Sequence, residues 1–345
     1  MKASSQHRLS AGGFTLLEIL VSTAVLSMIM VILLSVTDIT SKTWKRTTEK
    51  MQAFEESRAA FDRITTQLSL ATLNPYWDYD SLQNPTKYER TSELQFLSLP
   101  MSEMGKDAAA FPTHGLFFQA PTGKVSDKTA YDGMPLLLNA YGYFVEYGPD
   151  DRPTWLPASV TAKYRFRLKE WRVSSENWTL YSHTSGTAEA YTGTNYVDST
   201  SYGWIDLTDP VANTLAENVI ALVIYPKNTV SPTGGGSTVN SLAEADNFVY
   251  NSRNTITTTE GQNQRHQLPP EVEVVMVAID ETSAAQKWSN AAAAPSLFQA
   301  DWFHTPANLD ADLTALINTL SSDKINYIIL RSTVKLRAAR WSQNP

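Results

Sequence analysis

The sequence feature that most constrains this chain is an apolar run from Phe14 to Val36, in which Glu18 is the only ionisable residue. A helix of this length, at about 1.5 Å per residue, extends roughly 35 Å and can cross a hydrocarbon core of about 30 Å. Lys2 and Arg8 precede the run, so the positive-inside rule places the N-terminus in the cytoplasm and the C-terminal body across the membrane. A charge inside such a span is costly, and Glu18 therefore needs an explanation.

Three simpler interpretations of the run remain open. The first is a cleaved secretory signal, which would have a shorter apolar region and a small-residue cleavage site, for which Ser35-Val36-Thr37 is a poor match. The second is a plain signal anchor, which explains the length of the run but neither Gly12-Gly13 nor Glu18. The third is a buried helix of a soluble fold.

The apolar run is entered through the sequence Gly12-Gly13-Phe14-Thr15-Leu16-Leu17-Glu18. This sequence resembles the processing site of type IV prepilins and type II secretion pseudopilins. The resemblance implies that a prepilin peptidase cuts after Gly13, that Phe14 becomes an N-methylated N-terminus, and that Glu18 pairs with the α-ammonium of Phe14 of a neighbouring subunit. The implied partners are other pilin-like subunits, the prepilin peptidase and a bacterial inner membrane, with the C-terminal head in the periplasm.

Beyond Asp38 the sequence becomes polar but keeps a helical pattern. An apolar stripe recurs at helical spacing and consists of Trp44, Met51, Phe54, Phe61, Ile64 and Leu68. The pattern predicts one long helix from Phe14 to about Leu73, ended by Asn74-Pro75, whose second half packs on a sheet. The predicted organisation is a leader peptide at 1–13, a membrane and filament-core helix at 14–36, a periplasmic half of the helix at 37–73 and a β-rich head at 74–345.

The head has the pattern of β-strands joined by long loops. Short apolar or alternating runs predict strands at 94–99, 116–119, 136–147, 163–169, 219–225, 272–279 and 328–338, and a short helix is expected at 310–320. Basic residues alternate with apolar ones at 163–169 and at 331–337; both rows could meet an acidic partner, and we interpret them as the solvent-facing side of a sheet. The expected fold class is α+β with a mainly antiparallel sheet, and the resemblance implies a pilin-like arrangement of helix and sheet.

The sequence contains no constellation typical of catalysis, and we expect neither enzymatic activity nor a cofactor. There is no cysteine, and the five histidines lack metal-ligand spacing. Removing residues 1–13 would leave 26 basic against 35 acidic side chains, and the resulting net charge of −9 argues against nucleic acid as a partner.

Three close carboxylate pairs could bind calcium, although we interpret them as turn and cap residues: Asp78 and Asp80, Asp150 and Asp151, and Asp310 and Asp312.

The length of the chain indicates which kind of pilin-like subunit it resembles. With 345 residues it is long for a major pilin, which points to a minor subunit. A late strand introduced by Leu268-Pro269-Pro270 and a closing segment at 330–337 look like J-type minor pseudopilins and W-type minor pilins, and the layout most resembles the Verru/Chthon cassette protein C family. The resemblance implies a structural subunit at or near the tip of a type II secretion-like filament. The alternative is a filament-borne binding module that recognises a secreted substrate or surface ligand through aromatic loops such as 191–204.

Overall fold

The computed structural model has a long N-terminal helix and a mainly antiparallel β-sheet body, which confirms the α+β class. The residues that it describes are 15–79, 83–131, 133–150, 152, 155–157, 159–177, 204–207, 212–227, 248–253, 265–288, 291–299 and 301–340. The chain divides into two compact units, Met1–Lys50 and Met51–Pro345.

Four α-helices lie in these described ranges: α1 (Leu16–Ser69), α2 (Lys128–Tyr131), α3 (Glu281–Trp288) and α4 (Leu309–Ser322). The expected helix at 310–320 is α4.

The long helix α1 ends four residues before the predicted Leu73, and the cause is a bond to the sheet. The backbone N–H of Thr72 donates to the carbonyl of Gln119 at 2.9 Å, so the chain already follows the sheet before it reaches Asn74-Pro75.

The described part of the chain also contains eleven strands: β1 (Tyr76–Tyr79), β2 (Tyr88–Thr91), β3 (Leu97–Pro100), β4 (His114–Pro121), β5 (Leu138–Pro149), β6 (Tyr164–Val173), β7 (Ala212–Glu217), β8 (Val219–Lys227), β9 (Tyr250–Asn251), β10 (Glu271–Ile279) and β11 (Tyr327–Lys335). They pair antiparallel in a six-stranded sheet of order β7-β6-β5-β4-β3-β9, a three-stranded sheet of order β11-β10-β8, and the hairpin β1-β2. All seven predicted strands are present, whereas β1, β2, β7 and β9 have no counterpart in the sequence-based expectation.

Asn218 turns the chain from the six-stranded sheet into the three-stranded sheet. It lies between β7 and β8 with φ of 59°, a left-handed conformation that asparagine tolerates better than most residues. Its backbone N–H donates to the carbonyl of Phe166 in β6, and its own carbonyl accepts from the N–H of Ile279 in β10. A single residue is thus hydrogen-bonded to both sheets at the point where the strand pairing changes.

His114 makes a second connection between the two sheets. Its side chain is fully buried at the start of β4. Its Nδ1 accepts from the backbone N–H of Ile224 in β8 at 3.0 Å, and its Nε2 donates to the carbonyl of Phe303 at 2.9 Å. Burial lowers the pKa of His114 to about 4, so the imidazole is neutral at pH 7 and both of its ring nitrogens are satisfied.

Within the second unit, the C-terminal part of α1 packs on the sheet as expected. Ile64 and Leu68 are fully buried there. Arg63 donates from Nε to Oε1 of Glu170 at 2.9 Å and from a terminal nitrogen to Oε2 at 2.7 Å. The Tyr143 hydroxyl donates to Oε1 at 2.9 Å, so the 3 % exposed Glu170 side chain is held by two residues of different elements.

The interpretation of the basic row at 163–169 as a solvent-facing side is wrong for two of its members. Arg167 is 2 % exposed and Lys169 is 6 % exposed. The Phe111 and Trp204 rings, which lie 5.9 Å from Phe144 and 5.8 Å from Trp171, cover this face of the sheet. The Arg167 guanidinium donates instead to the backbone carbonyls of Gly148 and Pro149.

The row at 331–337 is solvent-facing, as expected, because Arg331, Lys335 and Arg337 are all exposed. Arg331 also pairs with Asp310 and with Glu273, a buried carboxylate of β10 that pairs in addition with Lys227. Lys335 is the more exposed of these two residues. Both cations on Glu273 lower the pKa of its carboxyl, although its burial alone would raise the pKa.

Replacing Arg63 with Met should lower the free energy of unfolding by about 1–3 kcal/mol, because Glu170 then stays buried without a cation. The larger losses known for fully buried pairs are not expected, since the Arg63 side chain is 42 % exposed. Denaturant unfolding of the full-length protein in detergent, followed by tryptophan fluorescence, measures the change. Arg58→Met, at an exposed position of the same helix, is the matched control and should change stability by less than about 0.5 kcal/mol. Equal losses in the two variants would contradict the role of Glu170.

Acidification from pH 7 to pH 5 should lower the free energy of unfolding by about 2 kcal/mol through His114 alone. The folded-state pKa of His114, about 4, lies below the unfolded value of 6.5, so the unfolded chain takes up the proton first as the pH is lowered. The free energy of unfolding therefore decreases from pH 7 to pH 5. Denaturant unfolding at pH 5, 6 and 7 measures the slope. His114→Gln should be less stable at pH 7 and should show a shallower slope by the same amount; an unchanged slope would refute the assignment.

Candidate functional site

The N-terminal unit exposes apolar side chains on every side of α1. Six consecutive residues with exposed side chains show this: Ile29, Met30, Val31, Ile32, Leu33 and Leu34. Successive residues of a helix point about 100° apart, so six in a row cover its whole circumference. An all-round apolar helix is stable only when lipid or other helices surround it.

The segment Leu16–Lys45 is long and apolar enough to cross a membrane, and none of it is buried within the protein. This exposure distinguishes it from the core helix of a soluble fold. The next ionisable residue after Glu18 is Asp38, which forms an ion pair with Lys42 at 2.7 Å. Residues 19–37 between the two acids extend roughly 28 Å as a helix, close to the thickness of a hydrocarbon core.

Several hydroxyl groups inside this segment are hydrogen-bonded within the helix. The hydroxyl of Ser22 donates to the carbonyl of Glu18 at 2.6 Å, and that of Ser27 donates to the carbonyl of Thr23 at 2.8 Å. Thr37 and Thr40 bond in the same way, each to the carbonyl four residues earlier. Such bonds satisfy the polar group within the helix itself, which is the condition for placing it in hydrocarbon.

Glu18 closes the N-terminus of α1 in a capping box with Thr15. Its Oε2 accepts from the backbone N–H and from the hydroxyl of Thr15, both at 3.0 Å, while the N–H of Glu18 donates to the Thr15 hydroxyl at 3.3 Å. This reciprocal arrangement satisfies N–H groups that the first helical turn leaves without partners. The second carboxylate oxygen, Oε1, has no hydrogen bond to any residue that the structure describes. Only one of the two carboxylate oxygens of Glu18 is therefore hydrogen-bonded to the described residues of its own chain.

Of the three predicted processing and assembly residues, Gly13 and Phe14 lie outside the described residues, and Glu18 lies at the first turn of α1. The structure adds Thr15 as the residue that orients Glu18. The sequence contains the pattern for this role, because Thr15 and Glu18 have the Thr-x-x-Glu spacing of a capping box directly before an apolar run.

The carboxylates considered for calcium have structural partners where they are described. Asp78 accepts from the N–H of Tyr79, Asp150 accepts from the N–H of Lys163, and Asp312 accepts from the N–H of Phe303. Asp310 pairs with Arg331, whereas Asp80 and Asp151 lie outside the described residues. Among the described residues, no group of three or more histidine, aspartate and glutamate side chains is placed to hold a metal ion.

The aromatic loop at 191–204 lies outside the described residues except for Trp204. Trp204 is 3 % exposed, and its indole N–H donates to Oε1 of Gln95 at 2.7 Å. This tryptophan is therefore part of the core and not part of a binding surface, a correction to the sequence-based expectation.

Comparisons with protein-family models, with curated proteins and with solved structures found no match to this chain. The functional argument therefore depends on the residues of the chain itself.

Replacing Thr15 with Val should loosen the first turn of α1, because the two bonds between its hydroxyl and Glu18 are lost while the size of the side chain is kept. Losing a cap costs about 1 kcal/mol, so amide hydrogen exchange of the first turn should become about fivefold faster. Exchange of the full-length protein in detergent micelles measures this. Thr40→Val, which removes a hydroxyl bond in mid-helix, should leave the first turn unchanged; first-turn exchange as slow as in the unchanged protein would contradict the cap.

Proposed function

We propose that this chain is a minor pseudopilin or pilin-like structural subunit. In this proposal a prepilin peptidase cuts it after Gly13, Phe14 is N-methylated, and α1 assembles the subunit into a periplasmic type II secretion-like filament. The resemblance of the sequence to J-type and W-type minor subunits and to the Verru/Chthon cassette protein C family supports this proposal. A head of this size fits poorly into every subunit of a long filament, which favours a position at or near the tip.

The observation that carries the proposal is the half-satisfied carboxylate of Glu18 on an otherwise apolar, exposed helix. A carboxylate in hydrocarbon costs several kcal/mol unless it is paired with a cation. Cleavage after Gly13 would create such a cation, the α-ammonium of Phe14, at the same depth on every subunit. Pairing between neighbouring subunits would then fix the axial register of adjacent helices.

The position of the capping box supports a division of roles between the two carboxylate oxygens. Oε2 is occupied by Thr15 and fixes the direction of the carboxylate, whereas Oε1 is available to a second molecule. A carboxylate held in one rotamer loses less side-chain entropy on pairing than a free one. In the proposal, Thr15 therefore prepares Glu18 for the neighbouring subunit.

Glu18→Gln separates the charge from the cap. Glutamine can accept the Thr15 N–H in a capping box, but it cannot form an ion pair. In cells that hold the natural assembly partners, we expect Glu18→Gln and Glu18→Ala both to be depleted at least tenfold from the sheared filament fraction. Thr15→Val, which keeps the charge, should be depleted much less.

Intact-mass measurement of the membrane-bound form is the companion readout. The unchanged protein should have lost residues 1–13 and gained one methyl group, and thermal unfolding should show that all three variants keep a folded head. Filaments that contain Glu18→Gln at the normal level would reduce Glu18 to a helix cap and overturn the assembly role. A mature protein that still begins at Met1 would overturn the processing step.

A further inference from the structure

An open cleft of about 450 Å³ lies in the second unit. Its walls come from the segment that follows α1, the β1-β2 hairpin, the segment before β10 and the segment after β11. The residues that matter for its chemistry are Trp77, Arg90, His266, Arg337 and Arg340. The volume falls within the range of small-molecule sites, about 300–1,000 Å³.

Three arginines line this cleft, and none of the described carboxylates balances their charge. Arg90, Arg337 and Arg340 form no ion pair with any described residue, and no aspartate or glutamate is among the described residues that line the cleft. The whole chain has a net charge of −7, so a local concentration of guanidinium groups is not a consequence of general composition. Arginine binds carboxylate and phosphate groups through two parallel hydrogen bonds, which makes such a cluster suited to an oxyanion.

His266 adds a buried donor to the same cleft. The residue is 3 % exposed, and its Nδ1 accepts from the backbone N–H of Ser92 at 3.1 Å. In the neutral ring the proton therefore lies on Nε2, which is buried and has no hydrogen-bond partner among the described residues. A buried donor without a partner is costly, and it is satisfied when a ligand or water supplies an acceptor.

The surroundings keep His266 neutral. Burial, together with the charges of Arg265, Arg253 and Arg90, lowers its pKa to about 3. The ring thus offers one neutral N–H between pH 5 and pH 8, while the arginines provide the charge. The guanidinium of Arg90 lies 5.5 Å from the centre of the Trp77 ring, a cation–π contact that orients it without neutralising it.

We propose that this cleft binds a small organic anion through its carboxylate or phosphate groups, with Arg90, Arg337 and Arg340 neutralising the charge and the Nε2–H of His266 donating to one of its oxygens. The exposed Trp77 ring gives the remainder of the ligand an apolar surface at the mouth of the cleft. A cationic ligand is excluded, because it would meet three uncompensated guanidinium groups. The inference does not depend on the filament role proposed above, since none of these residues belongs to the N-terminal unit.

Isothermal titration of the full-length protein in detergent with citrate and, separately, with inorganic phosphate tests the proposal. Both probes carry several negative charges, and comparison of the two separates a carboxylate site from a phosphate site. We expect one-to-one saturable binding of at least one probe, weakened at least tenfold in Arg337→Gln. Arg58→Gln removes one charge from an exposed position on α1 outside the cleft and should leave the affinity within twofold.

His266→Asn tests the buried donor. Asparagine tolerates the φ of 54° at this position and can place Oδ1 where Nδ1 accepts from Ser92, but it lacks the Nε2–H. The variant should therefore fold, as thermal unfolding can show, and bind the same probe about tenfold more weakly. Absence of saturable binding for both probes, or equal affinities in the unchanged protein and Arg337→Gln, would overturn the proposal. Equal weakening by Arg337→Gln and Arg58→Gln would overturn it as well, because attraction by overall charge would then suffice.

Discussion

The ion pair between Arg63 and Glu170 attaches the second part of α1 to the sheet, and the packing around it depends on that bond. Ile64 and Leu68 supply apolar burial, which favours contact but does not select one rotation of the helix. The bidentate bond from Arg63 is directional, and the Tyr143 hydroxyl completes it. If α1 packed on the sheet in another position, the charge of Glu170 would stay in the core without a cation. The ion pair therefore makes every other position of the helix less stable.

Buried polar groups also find partners at the junction between the two sheets. Asn218 bonds to backbone groups of both sheets, and His114 of β4 satisfies a backbone N–H of β8 and the carbonyl of Phe303. Buried backbone groups that lose their strand partners must find others, and a side chain or a turn residue is the only local source. The two sheets consequently share one core, and His114 and Asn218 lie where the sheets meet.

The sequence pattern predicts the regular elements well, because apolar spacing directly reports which face of a helix or strand is buried. The strand at 163–169 and the helix at 310–320 follow from this alone. It does not report what covers a face, so the alternation predicts a solvent-facing row although Arg167 and Lys169 are buried. Glu18 stands out by its charge, whereas the cleft with Arg90, His266 and Arg337 joins residues far apart in sequence and has no local pattern.

The apolar circumference of α1 restricts the route by which this helix can leave a bilayer. Moving one large apolar side chain into water costs about 1.5–3 kcal/mol, and a typical protein has only about 5–15 kcal/mol of stability in total. Withdrawal through an aqueous stage would expose many such side chains at once. A helix of this kind, once placed in a bilayer, can therefore change its surroundings only by moving laterally, so that its apolar side chains stay shielded from water throughout.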